Sequence, residues 1–544
     1  MKKKIILPIL AIGILLSTVS FTTSYKNDFF EIAKQIEIFT TLFKELNMNY
    51  VDEQTPATLM DKAITGMLAD LDPYTVYWTE QEVEDSRINN SGVYTGVGAS
   101  VRTLEDKIVI LEPFKGYPAD KAGLKAGDEI ISIDGTLLKD YDDDTGNLLK
   151  GTAGSEVMIT YMRQGKTETT KLTREAVAVK AVPFYKLFND NIGYIVLRKF
   201  NRKTTSETKA ALEDLKSQGA TKIILDLRGN PGGLLNEAIN VVNLFVPKDE
   251  VITTTQSVIP KYNKVYKTQT DPVDTEIPLA VLVNGRSASA SEIVSGGLQD
   301  LDRAVIVGAR SFGKGLVQRP KKLTYGTQLK VTISRYYTPS GRCIQALDYW
   351  NRDENGDPIR VDAKEYNAYK TKGGRTVYDG GGILPDIEVE TAVFSPITTA
   401  LLKDNAIFNY ATQYYYSHTM TDWKNFEFTD ADFSDFQAYL KKEGFNYETS
   451  TEVEFAEALR KAEDDDLKSE IEASYAQLMK SIETAKDKAL VKKKAEIKSL
   501  ISDEILKRYF YTEGLYEYQL ENNPEILAAV EVLNNTSKYA KILK

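Results

Sequence analysis

From Ala178 to about Asp386 the chain alternates strand and helix patterns, and this alternation constrains the fold more than any other feature. NIGYIVLRKF, KIILDL, PLAVLV and AVIVG are short apolar runs. Between them lie TSETKAALEDLKSQG, GLLNEAINVVNLF and SEIVSGGLQD, which read as helices. Parallel strands need long crossover connections, and helices supply them. The repetition therefore predicts a layered α/β domain with a largely parallel sheet. A chain of 544 residues exceeds what one core organises, so further domains are expected on either side.

The flanks differ in character. In FFEIAKQIEIFTTLFKEL, Phe30, Ile32, Ile36, Phe39, Leu42 and Phe43 fall on one broad helical face. A second helix, ATLMDKAITGMLADL, stops at Asp72-Pro73. Residues 92 to 176 carry β-rich runs such as KIVIL and VMITYM with glycine turns, and one short helix, PADKAGL, leading into KAGDEIISIDG. Beyond Ser395 the chain turns helical, polar and lysine-rich. There Leu467, Ile471, Leu478, Ile482 and Ala489 form a stripe suited to packing against the body of the protein or a second subunit. The run Lys492 to Lys494 reads as a solvated helix face. The N-terminus, MKKKIILPILAIGILLSTVSFTTSYKND, has three lysines, an apolar run from Ile5 to Leu16 and small polar residues after it. That is the layout of a signal peptide, and the apolar run is short for a membrane span. An uncleaved anchor reaching Phe21 is the alternative. The resulting division is 1–24 leader or anchor, 26–91 helical, 92–176 β-rich, 177–394 α/β and 395–544 helical.

Net charge is −10, which argues against nucleic acid as the main partner. The lone cysteine, Cys343, excludes an intramolecular disulfide and a thiolate zinc cluster.

Chemistry concentrates in NGRSASASE, residues 284–292. A buried strand ends, Asn284-Gly285 turns, and a helix begins, so Ser287, Ser289 and Ser291 lie where a strand's carboxyl end meets a helix N-terminus. Unpaired N–H groups there can hold an oxyanion. Ser289-Ala-Ser-Glu292 also fits a capping box, with Glu292 reaching back to the cap. A nucleophilic hydroxyl needs a base. The only histidine, His418, lies in the helical tail, so a Ser–His–Asp arrangement is poorly supported. Lys314 in SFGKGLVQ is the alternative: small or apolar neighbours surround it, and no acid lies within ten residues. Desolvation can keep such an amine neutral, although a surface loop lysine would look the same. Gln318 would stand over Lys314 if the segment turned helically, and would be too far away in an extended strand. In KIILDLRGNPGGLLNEA a strand runs into a glycine turn, where Gly232 and Gly233 can offer N–H groups to a reacting carbonyl or to a phosphate.

These segments resemble the carboxyl-terminal processing peptidases, or tail-specific proteases. LDPYTVYWT (71–79), YTGVGA (94–99), PADKAGLKAGDEIISIDG (118–135), DLRGNPGGLL (226–235), VLVNGRSASASEIVSGGLQD (281–300), SFGKGLVQ (311–318) and YYTPSGRCIQ (336–345) occur in the family's order. The resemblance implies a ClpP/crotonase-like α/β peptidase core with an inserted PDZ domain over 92–176. It implies Ser289 as nucleophile, Lys314 as general base and Gln318 as its support. It places the oxyanion hole at Ala290 and one of Gly232 and Gly233. The loop Tyr94, Gly96, Val97 and Gly98 would present N–H groups to a peptide's terminal carboxylate, and the next strand would pair with the peptide.

The expected activity is serine endopeptidase action on protein C-termini in the bacterial cell envelope, without metal or cofactor. Dimerisation and membrane anchoring are left open. A non-catalytic PDZ adaptor and a crotonase-like acyl-CoA enzyme are the competing readings.

Overall fold

The computed structural model describes residues 29–544 apart from 142–143, 190, 355 and 390–393. The expected leader at 1–24 lies outside the described residues. The chain divides into one unit ending at Tyr77 and a second spanning Trp78–Lys544. In the first, residues 29–49 are helical and a helix covers Pro56–Ala69, with Pro56 in its first turn. The apolar face expected on residues 29–49 is present and exposed, including Phe30, Ile36 and Leu42.

The second unit begins with the helix Glu80–Ser91, capped by a Thr79–Glu82 capping box and ended by Gly92 in the left-handed conformation. The β-rich segment follows. Its strands lie in the order Ala99–Thr103, Ile108–Pro113, Glu129–Ile133, Glu156–Arg163, Lys166–Thr173, antiparallel throughout. Ile108 and Ile110, and Val157 and Ile159, alternate inward along their strands and form a separate core with Ile130 and Ile133. Val93–Gly96 pairs antiparallel with Glu175–Ala178, so the segment's entry and exit lie side by side. That is the geometry of an inserted domain.

The α/β segment forms a six-stranded sheet in the order Phe184–Phe188, Ile192–Val196, Lys222–Asp226, Leu279–Val283, Val305–Gly308, Ile387–Glu388. Only the first pair is antiparallel. Every residue of Ile192–Val196 and Leu279–Val283 is buried, as expected of strands covered on both faces. One face carries Ile195, Leu225, Val281 and Ile306 against the helices Thr204–Ser217, Leu235–Asn243 and Ala290–Asp300. The other carries Tyr194, Ile224, Leu282 and Val307 against Tyr516, Leu520, Ile526, Ala529 and Val532. The last helices of the chain therefore form the second layer of the α/β core. The boundary expected at 394/395 thus separates elements that share one hydrophobic core. A second sheet, antiparallel, joins Leu316–Lys322, Gln328–Tyr337, Val251–Gln256 and Lys264–Lys267.

The middle of the helical tail makes its own core from Ile397, Leu401, Tyr410, Phe433, Phe436, Ile497 and Ile501. The stripe of Lys468–Lys492 meets this core only toward its end, through Ala489, while Ile471 and Leu478 stay exposed.

The layering generates a test from two adjacent residues. Ile526 is fully buried against the sheet, whereas Leu527 is 46% exposed. Ile526→Ala should destabilise the protein by about 2–5 kcal/mol. Leu527→Ala should change stability by no more than about 0.5 kcal/mol. Denaturant unfolding of both variants measures the contrast, and equal effects would contradict the assigned layer.

Candidate active site

Three strand ends and the loops that follow them build one cleft. It has a volume of about 690 Å³, and its lining includes Gly232, Gly233, Ser289, Ala290, Ile293, Lys314, Leu316, Gln318 and Tyr336. The helix Glu80–Ser91 contributes Glu82, Asp85 and Asn89 to the same lining. Ser289, Ala290, Gly232, Gly233, Lys314 and Gln318, taken from three separate sequence motifs, thus come together.

Ser289 ends the turn after Leu279–Val283 and is the N-cap of Ala290–Asp300. Its backbone has φ 57° and ψ −112°, a conformation that is costly for any residue with a Cβ. The turn is held by its neighbours. Ser287 Oγ donates to Leu227 O at 2.8 Å, and Ser291 Oγ donates to Asn230 O at 2.9 Å. The outer serines are therefore engaged in structure, and Ser289 is the member of the trio that faces the cleft. The expected capping-box contact from the Ser289 N–H to Glu292 is made, at 2.8 Å. The Glu292 N–H donates to the Ser289 carbonyl oxygen, also at 2.8 Å. Capping and a cleft-facing serine coexist at this position.

Glu292 does more than cap. It is fully buried, and its Oε2 accepts the N–H of both Ser289 (2.8 Å) and Lys314 (2.9 Å). Its Oε1 accepts the Gly313 N–H at 2.7 Å and the Ser311 hydroxyl at 2.5 Å. Burial raises the carboxyl's pKa, against the opposing pull of the Ser311 hydroxyl and the three N–H groups. One carboxylate oxygen therefore ties together two segments that lie apart in sequence.

Lys314 is half-buried in a loop, and the segment after it is a strand, Leu316–Lys322. The helical turn that would place Gln318 over Lys314 is not formed. Gln318 instead donates to Thr332 Oγ1 at 3.1 Å across the sheet, beside an irregularity in register. His418 is exposed and stacks on Tyr414 at 3.9 Å between ring centroids, with its Nδ1 near Ser417 Oγ and Tyr414 O. It does not line the cleft. Burial raises the thiol pKa of Cys343, the opposite of what a thiolate nucleophile needs.

The glycine turn lies directly against Ser289. A Cβ on Gly232 would sit 2.9 Å from Ala290 N and 2.7 Å from Ala288 O. The Gly232 N–H is engaged by Asn230 Oδ1 at 2.9 Å. Gly233 forms a parallel bridge with Phe200, in which Phe200 N–H donates to Gly232 O and Leu234 N–H donates to Phe200 O. In that pattern the N–H of Gly233 points away from Phe200.

Two further residues position the site. Asn230, fully buried, donates to Leu197 O and accepts the Ala288 N–H at its carbonyl, binding the glycine turn to the serine turn. Tyr336, 1% exposed, reaches the Ser289 carbonyl oxygen at 3.3 Å. Sequence reading singled out neither. The only available signal was that both stand inside motifs already noted. Beneath the turn, the Arg228 guanidinium binds Asp226 through two hydrogen bonds and Glu525 at 3.1 Å, so the last layer of the fold also braces this loop.

In the β-rich domain, Val97 is buried and its carbonyl accepts the Ala119 N–H at 2.8 Å. Gly98 has φ 74°, and a Cβ there would lie 2.4 Å from Tyr117 Cβ. The Tyr94 ring lies against Gly96, with Cε2 2.9 Å from where a Cβ would stand. Burial pushes the Tyr94 phenol up to about 12. Ala99–Thr103, the strand after this loop, is the terminal strand of its sheet. Such an edge can take up an extended peptide.

Comparison with known proteins decides the family. Residues 191–349 match Peptidase family S41, residues 95–173 match the PDZ domain, and residues 397–533 match the family described as "Probable PDZ-protease, C-terminal helical domain". A carboxy-terminal-processing protease of Bartonella bacilliformis is 37% identical over 347 residues, covering 62% of this chain and 78% of that protein. The chain belongs to the carboxy-terminal-processing proteases of peptidase family S41.

Within that family, a protein of Staphylococcus aureus named "Probable CtpA-like serine protease" is 34% identical over 307 residues, covering 56% of this chain and 61% of its own length. Among solved structures, the photosystem II D1 C-terminal processing protease is 28% identical, with a TM-score of 0.36, covering 65% of this chain and 92% of that one. By its family matches and its sheets, the chain has the multidomain α/β fold of a serine-type carboxy-terminal-processing protease with a PDZ domain. Membership in this family decides against the acyl-CoA enzyme and against a purely adaptor role.

The close approach at Gly232 yields a paired test. Gly232→Ala should lower peptide hydrolysis at least about 100-fold, because its methyl group would displace the Ala290 amide. Gly285→Ala, whose nearest neighbour would be Arg310 O at 3.9 Å, should retain activity. Steady-state hydrolysis of one peptide by both variants reads the difference.

Proposed function

We propose that this protease cleaves exported proteins near their C-termini with Ser289 as nucleophile and Lys314 as general base. The observation that carries the reading is the shared acceptor: Glu292 Oε2 receives the backbone N–H of both residues, and both side chains line one cleft that holds no histidine. Lys314, as the neutral amine, takes the Ser289 hydroxyl proton while Oγ attacks the scissile carbonyl carbon. The negative charge that develops on the carbonyl oxygen meets the N–H groups of Ala290 and Gly233, the latter favoured because the Gly232 N–H is engaged by Asn230. The Lys314 ammonium then returns the proton to the leaving amine as the C–N bond breaks. In the second half, Lys314 removes a proton from water, which attacks the acyl ester and frees Ser289.

The PDZ domain supplies the tail preference. The Tyr94-to-Gly98 loop receives the terminal carboxylate, and the edge strand Ala99–Thr103 pairs with the residues before it. Gln318 lines the same cleft and adds to its polar wall. The leader at 1–24 directs the chain to the cell envelope, where it is either cleaved off or retained as an anchor.

Ser289→Ala and Lys314→Arg together test the chemistry. Both should abolish cleavage of a peptide with a free apolar C-terminus, followed by mass spectrometry. The arginine keeps the positive charge but remains protonated, so it cannot act as a base. Undiminished turnover by either variant would end the assignment. Recovery of the full-length protein, leader intact, from the cytoplasm would end the localisation.

A further inference from the structure

The loop that bears Lys314 is gripped from two sides. On one side Glu292 accepts the N–H groups of Gly313 and Lys314. On the other lies the segment Cys343–Ala346, at the end of the motif YYTPSGRCIQ and just beyond it. Gln345 Oε1 accepts the Gly315 N–H at 2.7 Å, and the Ala346 N–H donates to Gly313 O at 3.0 Å. The Gln345 amide is itself oriented, because its Nε2 donates to Leu347 O at 2.8 Å. Its oxygen is therefore the atom turned toward the loop.

The two glycines beside Lys314 are what permit this approach. A Cβ on Gly313 would stand 2.4 Å from Ala346 Cβ, and one on Gly315 would stand 2.9 Å from Gln345 N. Three consecutive N–H groups, those of residues 313, 314 and 315, thus end on two side chains. Glu292 is tied to the serine and Gln345 to the neighbouring strand segment. Glu292 sets where the loop stands relative to Ser289, and Gln345 fixes it at Gly315, on the other side of Lys314 from Gly313.

We infer that Gln345 is a positioning residue for the lysine, holding the loop so that the Lys314 side chain enters the cleft. Its neutrality matters as much as its reach. A carboxylate in its place would accept the same hydrogen bond but set a negative charge against the Gly315 N–H, next in sequence to Lys314, favouring the ammonium form. The inference rests on Lys314 as general base, and the variants below separate the two.

Gln345→Met keeps the length of the side chain and removes the acceptor. It should lower kcat about ten-fold with KM nearly unchanged, the loss expected from one hydrogen bond that aligns a catalytic group. Gln345→Glu should restore most of the maximal rate but shift the acid limb of the kcat–pH profile upward. Hydrolysis of one quenched-fluorescent peptide with a free apolar C-terminus, over a pH series and with thermal unfolding of each variant, supplies the readouts. Wild-type kcat in Gln345→Met, a loss matched by a general drop in thermal stability, or an unmoved acid limb in Gln345→Glu would each overturn the inference. If Lys314→Arg is inactive while Gln345→Met is fully active, the inference alone fails. If Lys314→Arg is active, the lysine reading falls with it.

Discussion

A single buried carboxylate organises the catalytic cleft. Four donors satisfy Glu292, three from backbone and one from Ser311. Burying an ionised group without such donors is prohibitive. The arrangement is stable only when the serine turn and the lysine loop both present their N–H groups at once. The site therefore assembles as a unit, and the strained backbone of Ser289 is held by the same contact that locates Lys314.

A second layer of constraint comes from the body of the protein. Asn230 joins the glycine turn to the serine turn, and the Asp226–Arg228–Glu525 contacts join that turn to the last helices. Those helices cover one face of the parallel sheet with Tyr516, Leu520, Ile526 and Val532. Without them, a sheet whose central strands are apolar on both sides would expose one face to water. The C-terminal region thus has two roles: its middle builds a separate helical core, and its end belongs to the peptidase.

Much of this was legible in the order of residues. Strands such as Ile192–Val196 and Leu279–Val283 are continuous apolar runs, and such runs separated by helical patterns leave few alternatives to a parallel sheet. The PADKAGL helix appears as Pro118–Lys121, where proline suits a first turn. Other features were illegible for definite reasons. Gln318 was expected over Lys314 only if the segment turned helically; pairing with Gln328–Tyr337 drew it into a strand. Gly232 and Gly233 are indistinguishable as letters, yet Asn230 engages the N–H of the first, and the bridge to Phe200 turns that of the second outward.

The sequence by itself determined the fold class, the motif set and the presence of a single histidine, since apolar periodicity and residue type are local properties of the chain. The tertiary structure alone decided which acceptor each backbone N–H finds. Glu292 reaches Lys314 across 22 positions, and Ser291 reaches Asn230 across 61. No periodicity encodes such pairings. They follow from how the strands stack and where their ends converge, and the converging strand ends here form the cleft.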